Sequence, residues 1–329
     1  MSFWQDKNVV VTGGAGFLGS YLCRLLRQQG CEPFIVRSSE YDLRQSEARQ
    51  LFCDIGQVDA LFHLAANVGG IGYNQAHPYR LFFDNALMGL NIINLAIEAG
   101  VKKFVGVGTV CAYPKFAPAP FSEESLWDGY PEETNAPYGL AKKILLVQLQ
   151  AARAEYDFNG IFLLPTNLYG PGDEFRPYRS HVIPALIRKC FEAKETGGTI
   201  EVWGTGRAGR DFVYVEDAAE AILLAAEKYD RSEPLNIGSG TEVNIAALVH
   251  HIKRLTGCEA PIKWDISRPD GQPRRRLNIR RIKDALGWMP KTSLVDGLAK
   301  TIEWYKKRTE ELCLNYPSLP PPLLTARTD

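Results

Sequence analysis

The sequence predicts a doubly wound α/β fold: a Rossmann-like parallel sheet with a smaller, interleaved C-terminal α/β substrate lobe. Three observations predict it. Short, continuously apolar runs alternate with helix-length stretches through the first half, the pattern of a parallel sheet covered on both faces. The first run leads straight into a glycine-rich turn and then a helix. At 329 residues, the chain has room for a large α/β domain with a smaller companion.

Taken in order, Asn8-Val9-Val10-Val11 is the first strand, and Phe17 to Gln29 is a helix that stops at Gly30. Pro33-Phe34-Ile35-Val36 and Asp59-Ala60-Leu61-Phe62-His63-Leu64 read as the second and third strands. Pro78 to Ala99 has helical periodicity and ends at Gly100, a common stop signal. Lys103 to Val107 is the fourth strand, Pro137 to Tyr156 a long helix, and Ile161 to Leu164 the fifth strand. After Leu168 the alternation weakens. Residues 170–210 are rich in Gly, Pro and Arg, with a helix over Val182 to Ala193, and Phe212 to Lys228 with Leu235-Asn236-Ile237 reads as a return to the sheet. The expected division is a cofactor domain over residues 1–169, rejoined near 212–240, and a mainly substrate-binding lobe over 170–310. A proline-rich tail is expected over 313–329, with Pro317 to Pro322 extended or disordered.

Composition narrows the function. Lys+Arg and Asp+Glu number 38 each, so the formal charge is zero, and electrostatic binding to nucleic acid is not expected. No apolar run approaches the roughly 20 residues that cross a bilayer, and Met1 to Lys7 lacks the features of a signal peptide. Seven cysteines without paired spacing point to a reducing compartment, hence the cytoplasm. No CxxC, HExxH or Cys/His cluster calls for a metal.

Gly13-Gly14-Ala15-Gly16-Phe17-Leu18-Gly19 lies between the first strand and the first helix. Glycines there permit a tight turn and close approach of a pyrophosphate, and the helix N-terminus offers N–H groups and partial positive charge. The second strand runs into Arg37-Ser38-Ser39, where an NAD site usually carries a carboxylate. A guanidinium and hydroxyls suit a 2′-phosphate and favour NADP(H); nearby Glu40 keeps NAD as the alternative. Tyr138 and Lys142 stand four apart at the start of a helix, so both project from one face. Thr109 ends the fourth strand, where a parallel sheet presents ligand-binding residues. Together they suit carbonyl chemistry: a phenol that protonates the oxygen, an ammonium that favours its ionised form, and a hydroxyl as second donor.

With these residues in place, the chain resembles the extended short-chain dehydrogenase/reductases that modify nucleotide sugars, and within them the GDP-L-fucose synthase family. The resemblance spans about residue 8 to about 305. It is carried by Thr12 to Gly19, Val68-Gly69-Gly70-Ile71, Cys111-Ala112-Tyr113-Pro114-Lys115 and Asn135-Ala136-Pro137-Tyr138-Gly139-Leu140-Ala141-Lys142, and equally by Pro165 to Pro171, Ser180 to Leu186 and Pro269-Asp270-Gly271. It implies an acid/base pair, Cys111 as base and His181 as opposing acid, for inversion at C3 and C5 of a 4-keto sugar before hydride reaches C4. It further implies cofactor contacts from Ala65, Val107, Pro165, Asn167, Leu168, Lys142 and His181, and substrate contacts from Lys189, Trp203, Arg210 and Asp270. Some of the six arginines between Arg268 and Arg281 would meet the diphosphate of a GDP-sugar. A homodimer through the helices near 78–99 and 137–156 is also implied.

The chain departs from the family pattern at three positions: Thr109 for Ser, which keeps the hydroxyl; Ala15 for an Arg that helps hold the 2′-phosphate; and Asn67 for a Lys near the substrate loop. A 4,6-dehydratase places acidic residues after the catalytic Thr, where this chain has Val110 and Cys111. The remaining alternative is a 3,5- or 4-epimerase without net reduction. A catalytically silent NADP-binding module would be expected to have lost Tyr138 or Lys142.

Overall fold

The computed structural model describes residues 2–268 and 270–315. The first half contains β1 (Val9–Thr12), α1 (Phe17–Gln28), β2 (Phe34–Val36), α2 (Gln50–Ile55), β3 (Ala60–His63), α3 (Ile71–Ala76), α4 (Pro78–Glu98), β4 (Phe104–Val107), α5 (Ala136–Tyr156) and β5 (Gly160–Pro165). Beyond these come β6 (Asn167–Tyr169), α6 (Val182–Thr196), β7 (Ile200–Trp203), β8 (Gly209–Arg210), β9 (Phe212–Tyr214), α7 (Val215–Lys228) and β10 (Leu235–Ile237). The chain continues with β11 (Val243–Asn244), α8 (Ile245–Thr256), β12 (Ile262–Asp265), α9 (Arg280–Leu286) and α10 (Leu294–Asn315).

Six strands form one parallel sheet in the order β10-β5-β4-β3-β1-β2. The chain leaves β1 for β2 on one side and then returns to β3 on the other, so the switch point, where such sheets bind ligands, lies between β1 and β3. The sheet is buried on both faces because successive side chains point opposite ways. Val10, Leu61 and Phe104 join one core with Ile92 of α4 and Leu145 and Leu149 of α5. Val9, Val11, Phe62 and Val105 join the other with Leu22 and Leu26 of α1 and Ile222 of α7. A third core unites α6, α8 and α10 through Ile187, Leu248, Ile252 and Leu298 over β7.

Three details differ from the sequence reading. β9 does not enter the main sheet; it pairs in parallel with β6, while α7 returns to cover α1 and β10 completes the edge beside β5. The C-terminal helix extends through Asn315, so residues 313–315 belong to a helix where the proline-rich tail is expected to begin; Pro317 to Pro322 lie outside the described residues. Finally, α4 does have the length and apolarity of a membrane span, contrary to the composition reading. Its packing accounts for this: half is buried, with Ile92, Ile93 and Ala96 in the core.

The first turn of α1 is pressed against the loop that precedes it. A Cβ at residue 19 would stand 2.1 Å from the Gly13 carbonyl oxygen, a backbone atom that cannot rotate away. Gly19→Ala should therefore destabilise the protein by about 1–3 kcal/mol and weaken dinucleotide binding; thermal melting with and without NADPH measures both.

Candidate active site

The turn after β1 is built for a phosphate. Gly13 adopts a left-handed φ of 71° and accepts a hydrogen bond from Gly16 N at 2.9 Å, which turns the chain back into α1. No side chain caps α1 and no carboxylate occupies its first turn, so its positive end is open to an anion. A Cβ on Gly13 would stand 2.7 Å from Ala65 N, so this turn and the loop after β3 form one cradle. Val107 ends β4 and Pro165 ends β5, two strands paired in parallel, and Asn167 and Leu168 open β6 immediately afterwards. Beyond β2, Arg37 and Ser38 are exposed. The uncapped helix terminus, the close backbone and the exposed hydroxyl and guanidinium groups fit a dinucleotide with a 2′-phosphate.

At the switch point Thr12 and His63 join β1 to β3, Oγ1 to Nδ1 at 2.9 Å. Thr12 Oγ1 also accepts from Ala65 N at 3.2 Å, and the direction of its bond to the imidazole is set by the ring tautomer. His63 Nε2 is buried and has no hydrogen-bond partner among the described residues. Burial, then the charge of Lys142, holds His63 well below the ordinary histidine range.

The catalytic cluster forms where α5 begins. A Cβ on Gly139 would lie 2.3 Å from the Cys111 carbonyl oxygen, so the first turn of α5 rests on the short turn Val110–Ala112. Thr109 starts that turn, its Oγ1 accepting from Cys111 N at 3.2 Å. Thr109, Tyr138 and Lys142 are all buried. Burial, with Cys111 second, raises Tyr138, so the phenol keeps its proton near neutral pH. Burial lowers Lys142 to about 8, and no carboxylate pairs with it among the described residues.

His181 precedes α6. Its side chain is exposed to solvent, although enough protein is packed nearby to penalise its charged form. Burial first and Arg275 second lower it, and Glu174 opposes them. The preceding segment is held to the Val68–Ile71 loop by Gly70 N donating to Arg179 O at 3.0 Å.

The four expected substrate contacts divide into two kinds. Trp203 is partly exposed, with the Arg268 guanidinium 4.9 Å over its ring, and Lys189 Nζ donates to Glu201 O at 2.7 Å near the surface. Arg210 and Asp270 are instead engaged within the fold. Arg210 is buried and donates to the carbonyls of Gly209, Asp270 and Gln272, and burial lowers it to about 9. Asp270 accepts from Thr205 N at 2.7 Å and from Thr205 Oγ1 at 2.8 Å. Two cavities, of about 450 Å³ beside Glu123 and Arg281 and about 280 Å³ beside Trp4 and Lys103, contain none of the catalytic residues.

Sequence reasoning gave no role to Asn135 or to Arg275 individually. Cys111 Sγ lies 3.8 Å from Asn135 Oδ1 and 3.6 Å from Arg275 Nη1. Asn135 was visible only as part of a motif, and Arg275 only as one arginine among six.

Lys142 carries a testable consequence. Because its folded pKa is depressed, the unfolded chain binds more protons between about 8 and the ordinary lysine value of 10.5. The penalty is thus full below about 8 and fades as pH rises through that window. Lys142→Met should gain on the order of 2–3 kcal/mol near neutral pH, a gain that shrinks towards pH 10.5, while reductase activity falls by ~10²-fold or more. Urea unfolding across pH, with a rate assay, tests both.

Residues 9–245 match the model of the NAD dependent epimerase/dehydratase family. The chain is 40% identical to GDP-L-fucose synthase 1 of Arabidopsis thaliana over 312 residues, covering 93% of this chain and 96% of that protein. It is also 40% identical to the GDP-L-fucose synthase of Sinorhizobium fredii over 304 residues, 92% and 96% of the two chains. A GDP-L-fucose synthetase structure from Naegleria fowleri, bound to NADP, superposes with a TM-score of 0.84 at 26% identity, covering 94% of this chain and 97% of that one. The chain therefore belongs to the NAD-dependent epimerase/dehydratase family, on its GDP-L-fucose synthase branch.

Proposed function

We propose that this protein is an NADPH-dependent epimerase–reductase that converts GDP-4-keto-6-deoxy-D-mannose to GDP-L-fucose. The carrying observation is the seating of α5 on the Thr109–Ala112 turn, which gathers two oxygen donors, a buried ammonium and a thiol at the sheet's ligand-binding edge, in a chain 40% identical to GDP-L-fucose synthases. In this proposal residues 1–169 with 212–240 form the cofactor domain, and 170–310 mainly the substrate lobe.

The C4 ketone acidifies the protons at C3 and C5. Cys111 takes a proton from one face, and His181 returns one to the other. Thr109 and Tyr138 donate to the C4 oxygen and hold the enolate charge while this occurs. Each inversion leaves a proton on Cys111 and a neutral His181, so the pair must exchange with solvent before the next. Burial and Arg275 disfavour a charged His181 in the ligand-free protein; the substrate's diphosphate brings negative charge that favours it. When bound, NADPH supplies the hydride that reduces C4. Tyr138 then protonates the oxygen, a role suited to a phenol that burial keeps protonated, and Lys142 supplies adjacent positive charge. Arg37 and Ser38 receive the 2′-phosphate in place of the arginine that Ala15 replaces. A working thiol at residue 111 fits a reducing compartment, the cytoplasm.

The test is incubation with GDP-4-keto-6-deoxy-D-mannose and NADPH in heavy water. Deuterium at C3 and C5 with loss of the reduced-nicotinamide absorbance is expected. Deuterium without NADPH loss makes the protein an epimerase alone, and neither makes the substrate wrong. Cys111→Ser should slow exchange by ~10²-fold or more with NADPH affinity unchanged.

The proposed assembly is a homodimer through α4 and α5. Tyr79, Phe82, Phe83 and Leu90 of α4 and Val147 and Tyr156 of α5 are exposed, an apolar set that a second copy would cover. Phe83→Asp combined with Leu90→Glu should shift the protein from dimer to monomer in sedimentation; an unchanged dimer would place the interface elsewhere.

A further inference from the structure

Arg275 is a buried guanidinium with no carboxylate partner among the described residues. A buried cation without compensation is strongly disfavoured, so what surrounds it is informative. Its backbone is fixed by Arg275 N donating to Gly209 O at 3.0 Å. Its side chain meets two amide oxygens and one sulfur: Nε donates to Gln272 Oε1 at 3.1 Å, and Nη1 lies 3.4 Å from Asn167 Oδ1 and 3.6 Å from Cys111 Sγ.

Neither amide is free to turn. Gln272 Nε2 donates to the carbonyls of Pro114 and Lys115, and Asn167 Nδ2 donates to Asp211 O at 2.7 Å. Both oxygens must therefore face Arg275, and the guanidinium is aimed at the sulfur. Across the sulfur, Asn135 is locked in the same manner: Nδ2 donates to Glu132 Oε2 at 2.6 Å, and Oδ1 accepts from Asn74 Nδ2 at 3.0 Å. The sulfur thus sits between a fixed acceptor for its proton and a fixed, positively charged donor. Of the three groups that Arg275 contacts, only the thiol can become an anion.

We infer that Arg275 is a positioning residue for Cys111, the built-in counter-ion of its anionic sulfur, which holds the sulfur in place for proton abstraction. This rests on the proposal that Cys111 is the base, but it can be tested without the sugar. Thiolates, not thiols, attack alkylating agents, and a neighbouring cation favours them. The rate of Cys111 carbamidomethylation by iodoacetamide, read on its own peptide by mass spectrometry at one near-neutral pH, is the primary measurement. Arg275→Gln and Arg275→Met should each lower it by about tenfold. Arg275→Lys should retain it to within about threefold, because the charge remains. NADPH affinity, expected to be unchanged, shows that each variant is folded, and the Met variant offers a neutral chain suited to a buried site should the Gln variant misfold.

With sugar present, the neutral variants should lower kcat for deuterium exchange and leave KM within about twofold. A folded neutral variant alkylated at the wild-type rate would overturn the inference, as would a Lys variant as slow as the neutral ones. If alkylation falls as expected while the wild-type protein exchanges no deuterium into the sugar, the counter-ion pair stands and the proposed substrate fails.

Discussion

The approach of α5 to the turn at residues 109–112 sets the geometry on which the site depends. Only a residue without a side chain allows it, because the Gly139 α-carbon faces the Cys111 carbonyl at a separation that leaves no room for a methyl group. This one contact puts the end of β4 under the start of α5. Thr109 and Cys111 come from one segment and Tyr138 and Lys142 from the other. A larger side chain at residue 139 would move Tyr138 and Lys142 away from Thr109 and Cys111 while leaving each residue intact. Asn135 reinforces the join, because its side chain reaches Cys111 while its carbonyl accepts from Gly139 N at 2.8 Å.

The electrostatics of the cleft follow from what is buried around that join. Lys142 and Arg210 are both depressed by burial, and Arg275 is buried beside Arg210 and His181. Of the nearby carboxylates, Glu174 is paired with Arg176, while Asp270 and Glu132 keep their charge, hydrogen-bonded to Thr205 and to Thr134 and Asn135. A protein whose formal charge is zero overall thus gathers three cationic side chains, Lys142, Arg210 and Arg275, in this buried region. Composition could not show this, since whole-chain charge averages over a surface laced with paired ions.

The sheet was legible because its strands are short apolar runs buried on both faces, which leaves few other interpretations for Val9 to Val11 or Ile161 to Leu164. The glycine turn and the Tyr138–Lys142 pair were legible because their chemistry depends on fixed spacing along one helix or one turn. β9 was misplaced because Phe212-Val213-Tyr214 has the same composition as a central strand; only its pairing with β6 distinguishes it, and pairing across 45 residues leaves no local mark. Arg275 was hidden for the same reason. Its neighbours Cys111 and Asn167 lie 164 and 108 residues away in sequence, and Arg274 and Arg276 beside it have the same chemistry and different surroundings.

The segment from Asp270 to Asn278 explains how one short stretch can shape both the substrate side and the thiol. Asp270 fixes the turn after β7 through Thr205. Gln272 reaches the chain just beyond Cys111. Phe121 N donates to Arg276 O, and Asn278 N donates back to Phe121 O. Leu277 N donates to the buried carboxylate of Asp211, which also holds Ser239. The segment is therefore tied at almost every residue to a different part of the molecule. An arginine within it has its reach set by backbone anchors on both sides, which allows a long, flexible side chain to act as a fixed charge. Arg210 bonds the carbonyls of Asp270 and Gln272, and Asp270 anchors the start of the segment, so both support the backbone from which Arg275 reaches the sulfur.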